Sequence, residues 1–598
     1  MKQELEQLVA AVVKELFGTD AAVELTRPDE QFGDYATNVA LQLSKQLGKN
    51  PREVAEALRE KLAGDSRLQA VEVAGPGFLN LKVKAEVMAR QVSVQDQVHT
   101  SEHVQVEVAR KVLVEYSDPN PFKPLHAGHL YTTLVGDSIA RLIENTGAET
   151  IRINYGGDVG LHVAKSMWSI LKWLDGGGLA KLASIPEEER PKWLGERYVE
   201  GNNAYEDANN LGADSLEQVG DFTRLKPGVL DAKLDILAIN KLIYEVAGGN
   251  NNPELGVEYN TGEKAMPSGE EFAQIYHTTR QWSYDYFKVL YDQLEVVPFT
   301  RYIPESEVTP LGVKTVKEQL EKGVYQESDG AVVFDGEKLG MHTRVFINSE
   351  GLPTYEAKDV GLSLTKWNDY HFDESIIITA NEQEQYMRVV VASIHEFAPE
   401  PAERTKHLTH GVVKLQGGVK MSSRKGNVVT ALEILEAARE AGKATGTNPS
   451  EETILAAVKY AFAKNRIGGD VIYDPKESIA LEGNSGPYLQ YAHARARSIL
   501  AKAEQGSGEL TDLSDDERSL LRKITEYAEV VEKATAELMP HHICTYLYEL
   551  AQKFNQFYEH NRVIGDDRQA ARLKLVEHYA DTLKNGLELL GIAAPERM

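Results

Sequence analysis

In the first eighteen residues, MKQELEQLVAAVVKELFG, apolar side chains fall at Leu5, Leu8, Val9, Val12, Val13 and Leu16. This spacing, interrupted by Glu4, Glu6 and Glu15, predicts an amphipathic surface helix and is unlike the unbroken apolar run of a signal peptide. The helical pattern VAEALREKLAG then gives way to VEVAGPGFLNLKV, where AGPG supports a strand pair. Residues 1 to about 108 therefore read as a small separate α/β domain. At Val112 the pattern changes. VLVEYS is a buried-strand signal, a proline-rich loop follows, and HLYTTLVGDSIARLIENTG carries helical periodicity that closes at Gly147. TIRINYGG supplies the next strand, reached by a helix as a right-handed crossover requires, so the unit opens a parallel nucleotide-binding sheet.

Between about 165 and 275 the pattern is mixed. The clusters DGGGL, EEER and AGGNNNPELG predict an insertion, near 175–265, with exposed loops and no assignable chemistry. SIIITANEQEQYMRVVVASI repeats strand then helix, and HLTHGVVKLQGGVKMSSRKGN reads as a strand, a Gly417-Gly418 turn and a basic loop. Beyond about 470 the strand signals stop. LQYAHARARSILAKAEQ, DERSLLRKITEYAEVVEKAT and HHICTYLYELAQKFNQFYEH are amphipathic helices of a C-terminal bundle. The expected fold class is α/β: an N-terminal α/β domain (1–108), a Rossmann-type domain (109–425), a connecting helical segment (426–475) and an all-helical bundle (476–598).

Composition adds limits. With 598 residues the chain is too long for one core, and 42% hydrophobic with 26% charged residues is an ordinary soluble balance. A formal charge of -26 disfavours nucleic acid if spread evenly, but it does not describe a local groove. The single cysteine, Cys544, excludes an internal disulfide and a cysteine-based zinc site. No apolar run reaches the length of a membrane span. The expectation is a cytoplasmic protein with no membrane partner.

The candidate chemistry starts at PNPFKPLHAGHL, residues 119 to 130. His126 and His129 can be structural, can hold a metal, or can face a phosphate. No carboxylate follows in the H-E-x-x-H order of zinc hydrolases, and no metal site is expected. The phosphate reading rests on position: after a strand, at a helix start, free N–H groups and the helix dipole favour an anion. Gly128 would let an adenine or ribose come close to the backbone. A second cationic element is KMSSRKGN, where Lys420, Arg424 and Lys425 surround Ser422 and Ser423; taken alone, such a loop can equally be a solvated turn.

The pair HAGH and KMSSR resembles the HIGH and KMSKS signatures of class I aminoacyl-tRNA synthetases. VEYSDPNPFKPLHAGHL, NYGGDVG, YEAKDVG, FGDYATNVAL, AGPGFLN and LLGIAAPERM are similar to arginyl-tRNA synthetases in particular, from about Phe32 to Met598. The resemblance implies ATP-dependent ligation of L-arginine to tRNA(Arg) by a monomer, through an arginyl-adenylate. It implies catalytic roles for His126, His129 and Lys420, and ATP contacts from Lys123, Gly128, Met421, Ser422 and Ser423, with Mg²⁺ accompanying the nucleotide. Glu115 and Asp359 are expected on the guanidinium with Tyr355 beside them, and Asn120, Gln383 and His129 on the α-amino and carboxylate end, near Asp118 and Pro119. A guanidinium does call for carboxylates and an aromatic face.

For tRNA, the resemblance implies an elbow contact at Phe78 and Asn80 and anticodon contacts at Tyr491, Arg495 and Met598. Tyr488, Arg497 and Arg562 add to the aromatic and basic pattern. Three departures stand out. Tyr131 replaces the family's usual arginine after the HIGH motif, Asp118 replaces a small residue, and Ser423 replaces the second lysine of KMSKS. The rival readings are a catalytically inactive tRNA-binding paralogue and another class I adenylyl-transferring enzyme.

Overall fold

The computed structural model describes residues 1–98, 109–215, 229–254, 267–416, 429–446, 448–503 and 508–598. Its centre is a five-stranded sheet in the order Thr405–His410, Glu374–Ala380, Lys111–Glu115, Glu149–Gly156, Arg301–Pro304, with every neighbouring pair parallel. The strands are apolar on both faces because helices cover both, as a crossover sheet requires. The strand order reverses between Lys111–Glu115 and Glu374–Ala380, and ligands bind such sheets outside the carboxyl ends of the strands at this switch point.

The helix Ala127–Glu144 leaves the first strand and packs on it closely. A Cβ at Gly136 would lie 2.3 Å from the Tyr116 ring, so only glycine permits this approach. At its other end the helix meets the close of the C-terminal helix Gln569–Leu589: Arg141 and Ser138 donate to the carbonyls of Glu588 and Leu590, and Lys459 donates to that of Gly591. The described residues between 161 and 293 are mainly helical and have their own core around Met167, Ile236 and Phe272.

Two strand assemblies were not apparent in the periodicity. Gln326–Ser328, Ala331–Phe334 and Arg344–Ile347 form a small antiparallel sheet. Val471–Tyr473 pairs with Val413–Leu415, so strands do not stop at 470 and the segment before the bundle is not purely helical. Both involve runs of three or four residues, too short for a period to register.

The N-terminal region is the expected helix, Lys2–Phe17, with a sheet in which Leu68–Ala74 and Phe78–Val83 form the hairpin across AGPG. It is not a separate body. Its Met88 and Val92 share one continuous core with Leu520, Leu547 and Leu575 of the C-terminal bundle. The polar rim of this seam is ionic: Arg27 binds Glu529 at 2.7 Å, and Arg518 binds Asp34 at 2.6 Å. Among the described residues no helix is long and apolar enough to cross a membrane.

Candidate active site

The first strand ends in a conformation that costs energy. Ser117 and Asp118 have φ of 77° and 44°, and Phe122 has 68°, in a region non-glycine residues rarely occupy. Hydrogen bonds hold the turn. Asp118 Oδ1 accepts from the Tyr155 N–H at 2.8 Å, Asn120 Oδ1 from the Gly157 N–H at 3.2 Å, and the Phe122 N–H donates to Ser283 Oγ at 2.9 Å. The Pro119 carbonyl lies against Gly156, where a Cβ would come within 3.1 Å of it. Lys123 Nζ rests 4.2 Å above the Tyr198 ring, so the insertion that lacked a signature walls this loop.

The histidines form the helix cap themselves. His126 Nδ1 accepts from the N–H groups of Gly128 (3.1 Å) and His129 (3.3 Å), while His129 Nδ1 accepts from the His126 N–H (3.3 Å). The rings stack 3.7 Å apart. This arrangement corrects the expectation of free first-turn amides: those of Gly128 and His129 are occupied by imidazole, and that of Ala127 donates to Val429 O. It also settles the tautomer, since a ring whose Nδ1 accepts carries its proton on Nε2. Burial, with Lys123 adding to it, lowers His126 to about 4, and burial with His126 and Lys123 holds His129 well below the ordinary range. Both rings are neutral at pH 7. Gly128 is required here for a second reason, because a Cβ would lie 2.9 Å from His126 Cε1.

Carboxylates converge on the same strand ends. Glu115, only 2% exposed, pairs with Lys366 at 2.7 Å. Glu305 pairs with Lys358 at 2.6 Å, and Asp158 accepts from Arg280 and from both the N–H and the hydroxyl of Ser306. Asp359 makes no ion pair among the described residues: Lys366 acts on it only from a distance, and the one hydrogen bond it accepts among those residues is from the Tyr386 hydroxyl. Burial above all, then Glu115 and Glu305, raise it to about 7 against the opposing Tyr386 bond. Asp118 is likewise pushed well up by burial and by Glu115. Tyr355 opens the helix Tyr355–Tyr370 one turn before Asp359, is 54% exposed, and lies beneath Lys358 Nζ at 4.9 Å. Gln383 stands exposed after the strand Glu374–Ala380.

The segment with Lys420, Met421, Ser422, Ser423, Arg424 and Lys425 lies outside the described residues. Immediately after it, Thr430 bridges to His126 and the Ala431 N–H donates to Leu125 O, so the described chain resumes directly against the HAGH turn. Tyr131 is fully buried against His410 (4.7 Å) and Phe462, and its hydroxyl has no hydrogen-bond partner among the described residues.

Away from the sheet, Phe78 is 41% exposed beside the buried Asn80, in a cleft that Phe32 and Thr37 also line. Tyr491 and Met598 are exposed, and Arg495 lies 4.6 Å over the Tyr558 ring. Arg497 departs from the expected pattern: it is engaged by Asp581 at 2.6 Å and fixes the bundle.

Sequence reasoning missed Glu305, Lys358, Asp158 and Tyr386. The first and third follow strand ends directly, in RYIPES and NYGGDVG, and this position was their available signal.

A parallel sheet with a histidine-capped helix at its switch point and a helical bundle behind it defines a class I aminoacyl-tRNA synthetase. The model of the class I (R) tRNA synthetase catalytic domain matches residues 91–168 and 259–474. The arginyl-tRNA synthetase N-terminal domain matches 2–83, and the DALR anticodon-binding domain matches 489–598. An arginine–tRNA ligase of Porphyromonas gingivalis is 31% identical, with 100% of this chain and 99% of that protein covered; one of Parabacteroides distasonis is 28% identical, with 100% of both covered. In fold, the chain is similar to the arginyl-tRNA synthetases of Thermus thermophilus (TM-score 0.73, 24% identity, 100% of both chains) and Plasmodium falciparum (TM-score 0.71, 18% identity, 100% and 99%). The chain belongs to the arginyl-tRNA synthetase family.

Proposed function

We infer that this chain ligates L-arginine to tRNA(Arg) at the expense of ATP. The observation that carries the reading is the charge balance of the pocket: Asp359 and Asp118 are buried among carboxylates and make no ion pair among the described residues, because the nearby Lys366 is taken by Glu115, and an open tyrosine face lies beside them. Buried carboxylates are normally paired, so the missing cation belongs to a ligand, and a guanidinium fits both the carboxylates and the ring. Asp359 and Glu115 take the guanidinium with Tyr355 against its face. Asn120, Gln383 and His129 take the amino-acid end, with Asp118 and Pro119 framing it.

The arginine carboxylate attacks the α-phosphorus of ATP in line, the bond to the β-phosphate breaks, and pyrophosphate leaves. No side-chain nucleophile is needed, because the attacking group is already an anion, and the protein contributes position and charge stabilisation. His126 and His129 donate neutral Nε2–H bonds to the departing oxygens. Lys123, Gly128 and the segment Lys420, Met421, Ser422 and Ser423 complete the nucleotide contacts, and Mg²⁺ arrives with ATP as part of the substrate. A terminal ribose hydroxyl of tRNA then attacks the carbonyl carbon of the arginyl-adenylate, and AMP leaves as the mixed anhydride breaks. Phe78 and Asn80 meet the tRNA elbow, and Tyr491, Arg495 and Met598 meet the anticodon. The chain works as a monomer in the cytoplasm.

The test offers all twenty radiolabelled amino acids in turn with total tRNA. Arginine alone is expected to be transferred; transfer of any other residue, or of none, defeats the reading. Pyrophosphate exchange is expected to need tRNA. His129→Ala should slow adenylate formation far more than it weakens tRNA binding.

A further inference from the structure

Beneath the two substrate positions runs a buried chain of hydroxyls that the mechanism has not used. Thr133 Oγ1 lies 2.6 Å from the His129 carbonyl and 2.7 Å from Ser117 Oγ; Ser117 Oγ lies 2.8 Å from the Tyr291 hydroxyl, and Asn154 Nδ2 lies 3.2 Å from that same hydroxyl. All four side chains are buried. Their protons can be placed by counting. A carbonyl only accepts, so the single Thr133 proton goes to His129 O. Ser117 then donates to Thr133, Tyr291 to Ser117, and the Asn154 amide to Tyr291. Every hydroxyl donates once and accepts once, and the chain runs in one direction, an arrangement in which each bond strengthens the next. Thr132 Oγ1 shares its one proton between the carbonyls of His129 (3.0 Å) and Gly128 (3.2 Å), so the same helical turn is held by a second hydroxyl.

The two ends of this chain are what matter. Ser117 is the first of the residues with positive φ, directly before Asp118, Pro119 and Asn120, and a side-chain hydrogen bond at that point helps hold the costly conformation. Thr133 lies one turn after His129. One 2.7 Å contact therefore joins the turn that frames the amino acid to the helix start that frames the nucleotide.

We propose that Thr133 and Ser117, backed by Tyr291 and Asn154, are positioning residues that set the distance between the arginine carboxylate and the α-phosphorus. The proposal rests on the function inferred above. None of these hydroxyls touches a substrate, so they act on kcat. In-line attack tolerates little displacement, and an error of about 1 Å costs on the order of a hundredfold.

The test is single-turnover arginyl transfer and steady-state kinetics on Thr133→Val, which keeps the shape and removes the hydroxyl, with Thr133→Ser as the conservative rescue. Thr133→Val is expected to lower kcat by about ten- to a hundredfold with the KM values for arginine and ATP within about threefold, and Thr133→Ser to recover most of the loss. Unchanged kcat, a loss confined to KM, or a serine variant no better than valine overturns the proposal. Should Thr133→Val fail to fold, Tyr291→Phe removes the donor to Ser117 together with the acceptor of the Asn154 amide and leaves Thr133 in place; a several-fold fall in kcat at constant KM is expected, and no fall overturns it. Selective labelling of histidine separates this proposal from the function reading. Whether or not arginine is transferred, the His129 Cε1–H resonance should move in Thr133→Val and return in Thr133→Ser; a resonance that does not respond counts against the register.

Discussion

Glu517, at the start of a bundle helix, and Asp359, in the pocket, are two carboxylates enclosed by protein, and they are treated in opposite ways. Glu517 is surrounded by arginines. Burial alone would raise it, but Arg568 at 2.6 Å and Arg572 at 2.8 Å outweigh that and hold it at about 2. Asp359 receives only the Tyr386 hydroxyl and rises to about 7. The fold can neutralise a buried acid where its own structure is at stake. In the pocket it leaves the acid without an ion pair among the described residues, a cost in stability that the proposed guanidinium contact would offset.

The largest test of this contrast is Asp359→Asn. Removing a carboxylate that takes up a guanidinium should lower kcat/KM for arginine by about 10³, or about 4 kcal/mol. Thermal unfolding at pH 8 should move the other way: a carboxyl raised above its unfolded value opposes folding once it is ionised, so the variant should melt higher. A lower melting temperature would show that Asp359 is a structural acid like Glu517. Next in size, Glu517→Gln should cost about 3 kcal/mol of stability at pH 7 by leaving two arginines underpaired, with KM for arginine unchanged. Because Glu517 is held low, its contribution is present above the ordinary carboxylate range and disappears as pH falls toward 2; denaturant melts across that range check the sign.

The wild-type pH profile gives a third and smaller effect. In the proposed reading the guanidinium needs ionised Asp359, so KM for arginine should rise by about fivefold between pH 7 and 6, and the dependence should be missing in Asp359→Asn. The smallest concerns Tyr131, whose buried hydroxyl has no partner among the described residues. Tyr131→Phe should raise stability by about 1 kcal/mol and leave kcat unchanged; a loss of activity would mean the hydroxyl serves the site.

The strand, proline loop and helix around HAGH were legible because a short continuous apolar run, helix breakers and a 3.6-residue period follow one another within a few dozen residues. The histidine spacing alone left three uses open. What the structure adds is the reciprocal capping of the Gly128, His129 and His126 amides, which occupies both Nδ1 atoms, a matter of side-chain rotamers that spacing does not carry. The pairing of Glu115 with Lys366 joins residues 251 apart in the chain, and no local pattern marks it. The short strands at 326–347 and 471–473 escaped because three or four residues hold no period. The shared core of the two chain ends escaped because a buried helix face reads the same whether its partner is near or far in sequence.

That shared core has a consequence for how the chain is made. Met88 and Val92 find their cover in Leu520 and the residues around it, about four hundred positions later. At roughly 5–20 residues per second, the first region leaves the ribosome twenty seconds to over a minute before the surface that completes it. Until then its apolar flank is open to other chains. The newborn protein depends on synthesis being finished, and a truncated chain lacking the last hundred residues leaves a sticky first domain behind.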